Sequence, residues 1–139
     1  MNTEILQQIN WLAVLVAGLA YFFLGAFWYT ALFGKKWQSY NQALMNDPNA
    51  KKGSAAIMFV SFILMLICSF GLSLIVTRLF LTGWEVGLKL GLLTGVCFAA
   101  TAVSISYLYE KRPLGLHLIN IGYNILGNII AAVIIASWR

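Results

Sequence analysis

Apolar residues dominate four long stretches of this chain, at about residues 10–33, 54–80, 84–108 and 114–138, with most of the charged residues in the joints between them. A helix of about 20 apolar residues crosses the roughly 30 Å hydrocarbon core of a bilayer, so each stretch is long enough to span. The pattern predicts an all-α fold: an integral membrane bundle of four transmembrane helices forming a single domain over residues 1–139. The connections on either side of the third stretch are very short, which predicts that spans two, three and four are antiparallel neighbours. The one sizeable loop, residues 34–53, carries Trp37, Tyr40, Leu44 and Met45 at helical spacing beside Lys35 and Lys36. That spacing predicts a short amphipathic helix in the headgroup layer after the first span. Asp47 followed by Pro48 reads as an N-cap and first helical position, from which a second helix running to Phe80 would be about 50 Å long.

One polar feature interrupts the last apolar stretch. His117, Asn120, Asn124 and Asn128 recur at three- and four-residue steps, which at about 100° per residue puts them on a single face of one helix. Lipid cannot be what this face meets, because an unpaired amide in an apolar medium costs roughly 2–7 kcal/mol. The seam therefore either bonds neighbouring helices together or lines a route for water, a cation or a small polar solute. His117 has no second histidine anywhere and no carboxylate three or four residues away, so it reads as a hydrogen-bonded or interfacial imidazole rather than a metal ligand.

A second periodic feature lies in the third span, where Gly87, Gly91 and Gly95 recur every four residues and Ala99, Ala102 and Ser106 extend the same small-residue face. Overlapping GxxxG steps let another helix backbone approach closely, which predicts a packing face without naming its partner. Trp28, Tyr29 and Trp37 read as anchors in the aromatic belt at one membrane surface. Glu85 and Lys89 stand four residues apart in the order that favours an ion pair along one helix.

Composition agrees with the span pattern: 61% of the 139 residues are hydrophobic and 9% charged, with a mean hydropathy of +0.85. A water-soluble domain of this size needs far more surface charge. The net charge of +5 comes from lysines and arginines at helix ends, so anionic headgroups of the bilayer are the simplest partner and nucleic acid is not implied. Lys35, Lys36, Lys51, Lys52, Lys111 and Arg112 fall on one side against Arg78, Lys89 and Arg139 on the other. The basic-rich side should be cytoplasmic, which predicts a multi-pass cell membrane protein (bacterial inner membrane) with both termini outside. The first apolar stretch lacks a basic leader and exceeds signal-peptide length, so it is expected to remain as a span. Cys68 and Cys97 lie deep in apolar segments and read as small hydrophobes packed between helices.

Nothing in the spans arranges catalysis. They hold no paired carboxylates, Ser61, Ser69, Ser73 and Ser104 have no identifiable base, and no glycine-rich phosphate loop occurs. No enzyme, cofactor or metal site is expected.

The segment Asn10–Trp37, with Gly25, Trp28 and Tyr29 followed by Phe33, Gly34, Lys35 and Trp37, resembles the opening of the small membrane proteins catalogued as domain of unknown function 1761. The spacing of four spans with a loop after the first is similar throughout. The resemblance implies a fold and no mechanism. Members often carry Ser-Pro after the Trp-Tyr pair, whereas this chain reads Thr30, Ala31, Leu32, Phe33, leaving Gly34 as the residue to end the helix. The functional expectation is a homo-oligomeric structural or interaction protein packed through its glycine face and asparagine seam. The alternative is a passive channel or transporter for a small polar solute or ion lined by that seam.

Overall fold

The computed structural model describes residues 3–139, which contain helices and turns and, among these residues, no strand. Four helices have the length and apolarity to cross a membrane: Trp11–Leu32, Ser54–Arg78, Trp84–Tyr109 and Leu114–Ser137. A short helix, Thr3–Gln8, precedes the first span. Two more, Gly34–Tyr40 and Gln42–Met45, form the loop that follows it.

Local chemistry sets where the spans begin. The Asn10 side-chain oxygen accepts from the Ala13 N–H at 3.1 Å and caps the first span, satisfying a donor that the helix itself leaves free. Pro113, extended at φ −60° and ψ 145°, leads into the fourth span, and its missing N–H is no loss there. The second span begins at Ser54 after Gly53, whose φ of +75° favours glycine. It does not begin at Asp47. The Asp47 carboxylate instead accepts from the Asn49 N–H at 2.9 Å, a turn that competes with helix formation. Gly34 likewise starts the loop helix rather than ending the first span, the turn being made by Phe33 at φ −122°.

The fourth span is the hub of the bundle. Within its most apolar window 44% of residues are buried, against 22–28% in the other three, and it packs on all of them. Ala131, Ala132 and Ala136 are sealed in the core with Ala17, Tyr21, Leu72, Val76, Leu90, Tyr123 and Ile135. Small side chains let the helices close. A Cβ added at Gly87 would lie 2.7 Å from the Ala132 carbonyl oxygen, one at Gly91 2.3 Å from Ile129 Cα, and one at Gly95 2.9 Å from Ile125 Cα. Each four-residue step up span three thus meets a four-residue step down span four, in antiparallel register with backbone against backbone.

Spans two and three are not neighbours, contrary to the expectation from their short connection, and share no extended contact. The turn between them is tied to span four instead. Gly83, at φ +96°, donates its N–H to the Ala136 carbonyl at 3.0 Å. The Arg139 guanidinium donates to the carbonyls of Val76 at 2.9 Å and of Leu81 and Thr77 at 3.4 Å, closing the end of span two. Spans two and three therefore each pack on the hub rather than on one another, and a cleft opens between them.

Two of the spans contain a π-helical turn, Trp28–Leu32 in the first and Gly95–Ala100 in the third. The first swings Trp28 and Tyr29 together toward span four, where the Trp28 indole donates to the Ile119 carbonyl at 2.9 Å. Near the end of the span these two half-buried rings turn their polar tips to partners on span four, the Trp28 indole to Ile119 and the Tyr29 hydroxyl to Asn120. Trp37 stays in the loop helix, edge-on to Tyr29 with ring centres 6.4 Å apart. Cys97 faces outward, unlike the packed position expected of it, and Cys68 is half-buried. Glu85 and Lys89 form no ion pair. Among the described residues the pair found is Arg112 with Glu110, at 3.2 Å.

Candidate functional site

The polar face of span four meets tyrosines. Tyr21 and Tyr29 sit two turns apart on span one, and Tyr107 sits on span three; their hydroxyls reach the amides of the seam. Tyr29 donates to the Asn120 side-chain oxygen, and the Asn120 amide donates to the Tyr107 hydroxyl at 2.7 Å. Spans one, four and three are thereby tied in one chain of bonds. Deeper in the bundle, Tyr21 donates to the Asn124 side-chain oxygen at 3.1 Å and accepts from the Asn128 amide at 3.4 Å. The Asn124 and Asn128 amides also each donate at 2.8 Å to the carbonyl four residues earlier on their own helix. The Cys68 thiol approaches the Asn128 side-chain oxygen at 3.8 Å.

His117 occupies the loop-side end of this face, buried at 6% exposure. Its Nε2 lies 3.2 Å from the Ser104 carbonyl, and its ring stacks on Tyr107 with centres 5.1 Å apart. The ring position is thus fixed by one hydrogen bond and one stack. No group of three His, Cys, Asp or Glu side chains gathers among the described residues.

Tyr123 stands between the amides and packs edge-on to both Tyr21 and Tyr29, with centroid distances of 5.3 Å. Its hydroxyl donates to the Tyr21 carbonyl at 3.2 Å. Glycine makes room for these rings: a Cβ at Gly127 would lie 2.4 Å from the Tyr21 ring, and one at Gly25 2.9 Å from the Tyr123 hydroxyl. The pairing of tyrosines with the seam was the unread half of the site, since Tyr29 reads along the chain only as an interfacial anchor. Their signal in the sequence was the repeat Tyr21, Gly25, Trp28, Tyr29 on one helical face, matched to a seam with the same period.

Cavities follow the seam. A pocket of about 310 Å³ next to the loop helices is lined by Tyr29, Trp37, Gln38, Met45, Tyr107 and Asn120. A second of about 370 Å³ lies on the inner side of the same Tyr29–Asn120–Tyr107 tie, reaches Tyr123 and Asn124, and is walled by Ala102, Val103 and Ser106. The third and largest, about 650 Å³, is the cleft between spans two and three, with Asn124, Asn128, Tyr21 and Tyr123 toward its floor. The small-residue face of span three therefore has two uses. Its glycines contact the hub, while Ala99, Ala102 and Ser106 border open space.

Replacing Tyr21 by phenylalanine should lower stability by about 0.6 to 1.7 kcal/mol, the range for hydrogen bonds between membrane helices. A double-mutant cycle with Asn124→Leu in bicelles should then show coupling of similar size. Additive effects would mean that the Tyr21–Asn124 bond contributes nothing.

The architecture and seam define a small four-span helical membrane protein built around an amide-bearing central helix. The chain belongs to the family described as Protein of unknown function (DUF1761), whose profile matches residues 12–136. No curated protein and no solved structure matches it.

Proposed function

We propose that this is a non-enzymatic structural or interaction protein of the membrane, in which the glycine face and the asparagine seam hold a single copy of the bundle together. The observation that carries this reading is the partnering of the seam: Asn120, Asn124 and Asn128 each bond a tyrosine on another span. An amide committed to a neighbouring helix acts as glue. Because both motifs are occupied within one chain, association into homo-oligomers has to use other surfaces, such as the outward faces of spans two and three. Cross-linking in nanodiscs followed by mass measurement tests for that association, with discrete dimers or higher species expected and a uniform monomer counting against it.

The passive-pathway reading has one observation in its favour, the run of cavities sharing Tyr29, Tyr107 and Asn120, and then Tyr123 and Asn124. Its test is flux. Proteoliposomes are expected to pass water, common ions and small polar solutes no faster than protein-free liposomes, and a protein-dependent flux would promote the pathway to first place.

For orientation, we propose the bacterial inner membrane with the 34–53 and 110–113 loops in the cytoplasm, since both carry the basic residues that resist export. A cysteine placed at Glu4 in a Cys68→Ala, Cys97→Ala background should be labelled from outside intact cells, and one placed at Asn49 should not. The reverse pattern would invert the topology.

A further inference from the structure

The cleft between spans two and three carries hydrogen-bonding capacity that the chain leaves unused. An asparagine side chain offers two N–H donors and two acceptor lone pairs. Asn124 uses one donor on the Asn120 carbonyl and one lone pair on Tyr21, so one of each remains. It lines the cleft and is only partly buried. Ser61 lines the same cleft from span two, and its hydroxyl makes no hydrogen bond among the described residues. At 1.5 Å per residue, Asn124 stands about 15 Å and Ser61 about 10 Å from the loop-side ends of their helices, well inside the hydrocarbon layer. Hydrocarbon tails offer these groups nothing.

The rest of the lining restricts what can satisfy them. Leu64, Leu72, Ile75 and Phe98 make the walls apolar, and no charged residue lines the cleft. An ionised headgroup drawn to this depth would lose its hydration with no counter-charge in return. The cavity's volume of about 650 Å³ falls within the range of small-molecule sites, which are mostly apolar with a few convergent polar groups. The π-helical turn Gly95–Ala100 forms part of the wall, placing Phe98 and Ala99 beside the opening. Such turns recur at functional sites.

We propose that this cleft is a binding site for a neutral lipid-soluble molecule with a compact hydroxyl head and a hydrocarbon body. The head meets Asn124 and Ser61, and the hydrocarbon lies along span two toward Ile75. Such a ligand enters sideways from the bilayer through the opening between spans two and three.

The test uses the full chain in phosphatidylcholine nanodiscs with three photoreactive probes that carry one diazirine near the chain end: hexadecanol, hexadecanoate and hexadecane. The alcohol should label the segments containing Leu64 to Ile75 and Phe98 about three- to tenfold more than the alkane, the advantage that one or two hydrogen bonds give. Unlabelled hexadecanol should compete. Ser61→Ala and Asn124→Leu should each reduce the preference for the alcohol over the alkane. Ser61→Ala removes a group with no partner in the fold, so it leaves a testable protein even if Asn124→Leu unfolds. Equal labelling by alcohol and alkane would show a cleft filled by ordinary lipid tails and overturn the proposal. So would stronger labelling by the carboxylate, or an unchanged preference in Ser61→Ala.

Discussion

Adding a single methyl group at Gly91 should push spans three and four apart. Its Cβ would lie 2.3 Å from Ile129 Cα and 2.8 Å from both the Asn128 carbonyl oxygen and the Ile129 nitrogen. All three are backbone atoms, so no side-chain rotation relieves the clash, and the whole helix must move. Overpacking of this kind typically costs 1–3 kcal/mol, and the absence of any flexible neighbour places Gly91→Ala at about 3 kcal/mol. Gly71 supplies the control. It lies within the helix of span two with no atom inside 4 Å of an added Cβ, so Gly71→Ala should be neutral or stabilising by up to about 1 kcal/mol, as expected when alanine replaces a helical glycine without strain. Unfolding by SDS titration in mixed micelles measures both. Equal stability of the two variants would mean that the glycine face is incidental to packing.

Changing Asn120, Asn124 and Asn128 together to leucine should destabilise the bundle by about 2 to 5 kcal/mol, the sum of several interhelical bonds lost in a bilayer. Part of that loss comes from the hydroxyls of Tyr21, Tyr29 and Tyr107, left without their partners. Removing both members of a buried hydrogen bond is far milder than removing one. Adding Tyr21→Phe and Tyr29→Phe to the triple variant should therefore recover stability, by about 1 kcal/mol or more for the two bonds. A triple variant that stays fully stable while abolishing a flux measured for the wild type would instead assign the seam to a pathway.

Much of the fold was legible along the chain because membrane spans obey a one-dimensional rule. A run of about 20 apolar residues must form a helix, since lipid offers no partner to a bare backbone. The four spans, the all-helical class and the membrane setting follow from that rule alone. The same physics marked His117, Asn120, Asn124 and Asn128 as residues that must meet protein or water, and Gly87, Gly91 and Gly95 as a surface where a backbone can close in.

Which helix meets which was a different kind of question, and short loops answered it wrongly for spans two and three. Their connection fixes only that their ends are close. Tertiary packing separates them, because Gly83 and the glycine face of span three bind span four while Arg139, at the end of span four, binds the end of span two, and the cleft exists as a consequence. The aromatic residues show the same division. Trp28 and Tyr29 have the composition of an interfacial belt, and only the π-helical turn that aims them inward makes Tyr29 a partner of Asn120. Hydropathy is a sum over single residues, and so the sequence by itself determined the spans and the faces that need partners. The choice of partner depends on the relative rotation and approach of separate helices, which small residues and hydrogen-bond geometry decide only when all four spans are packed together.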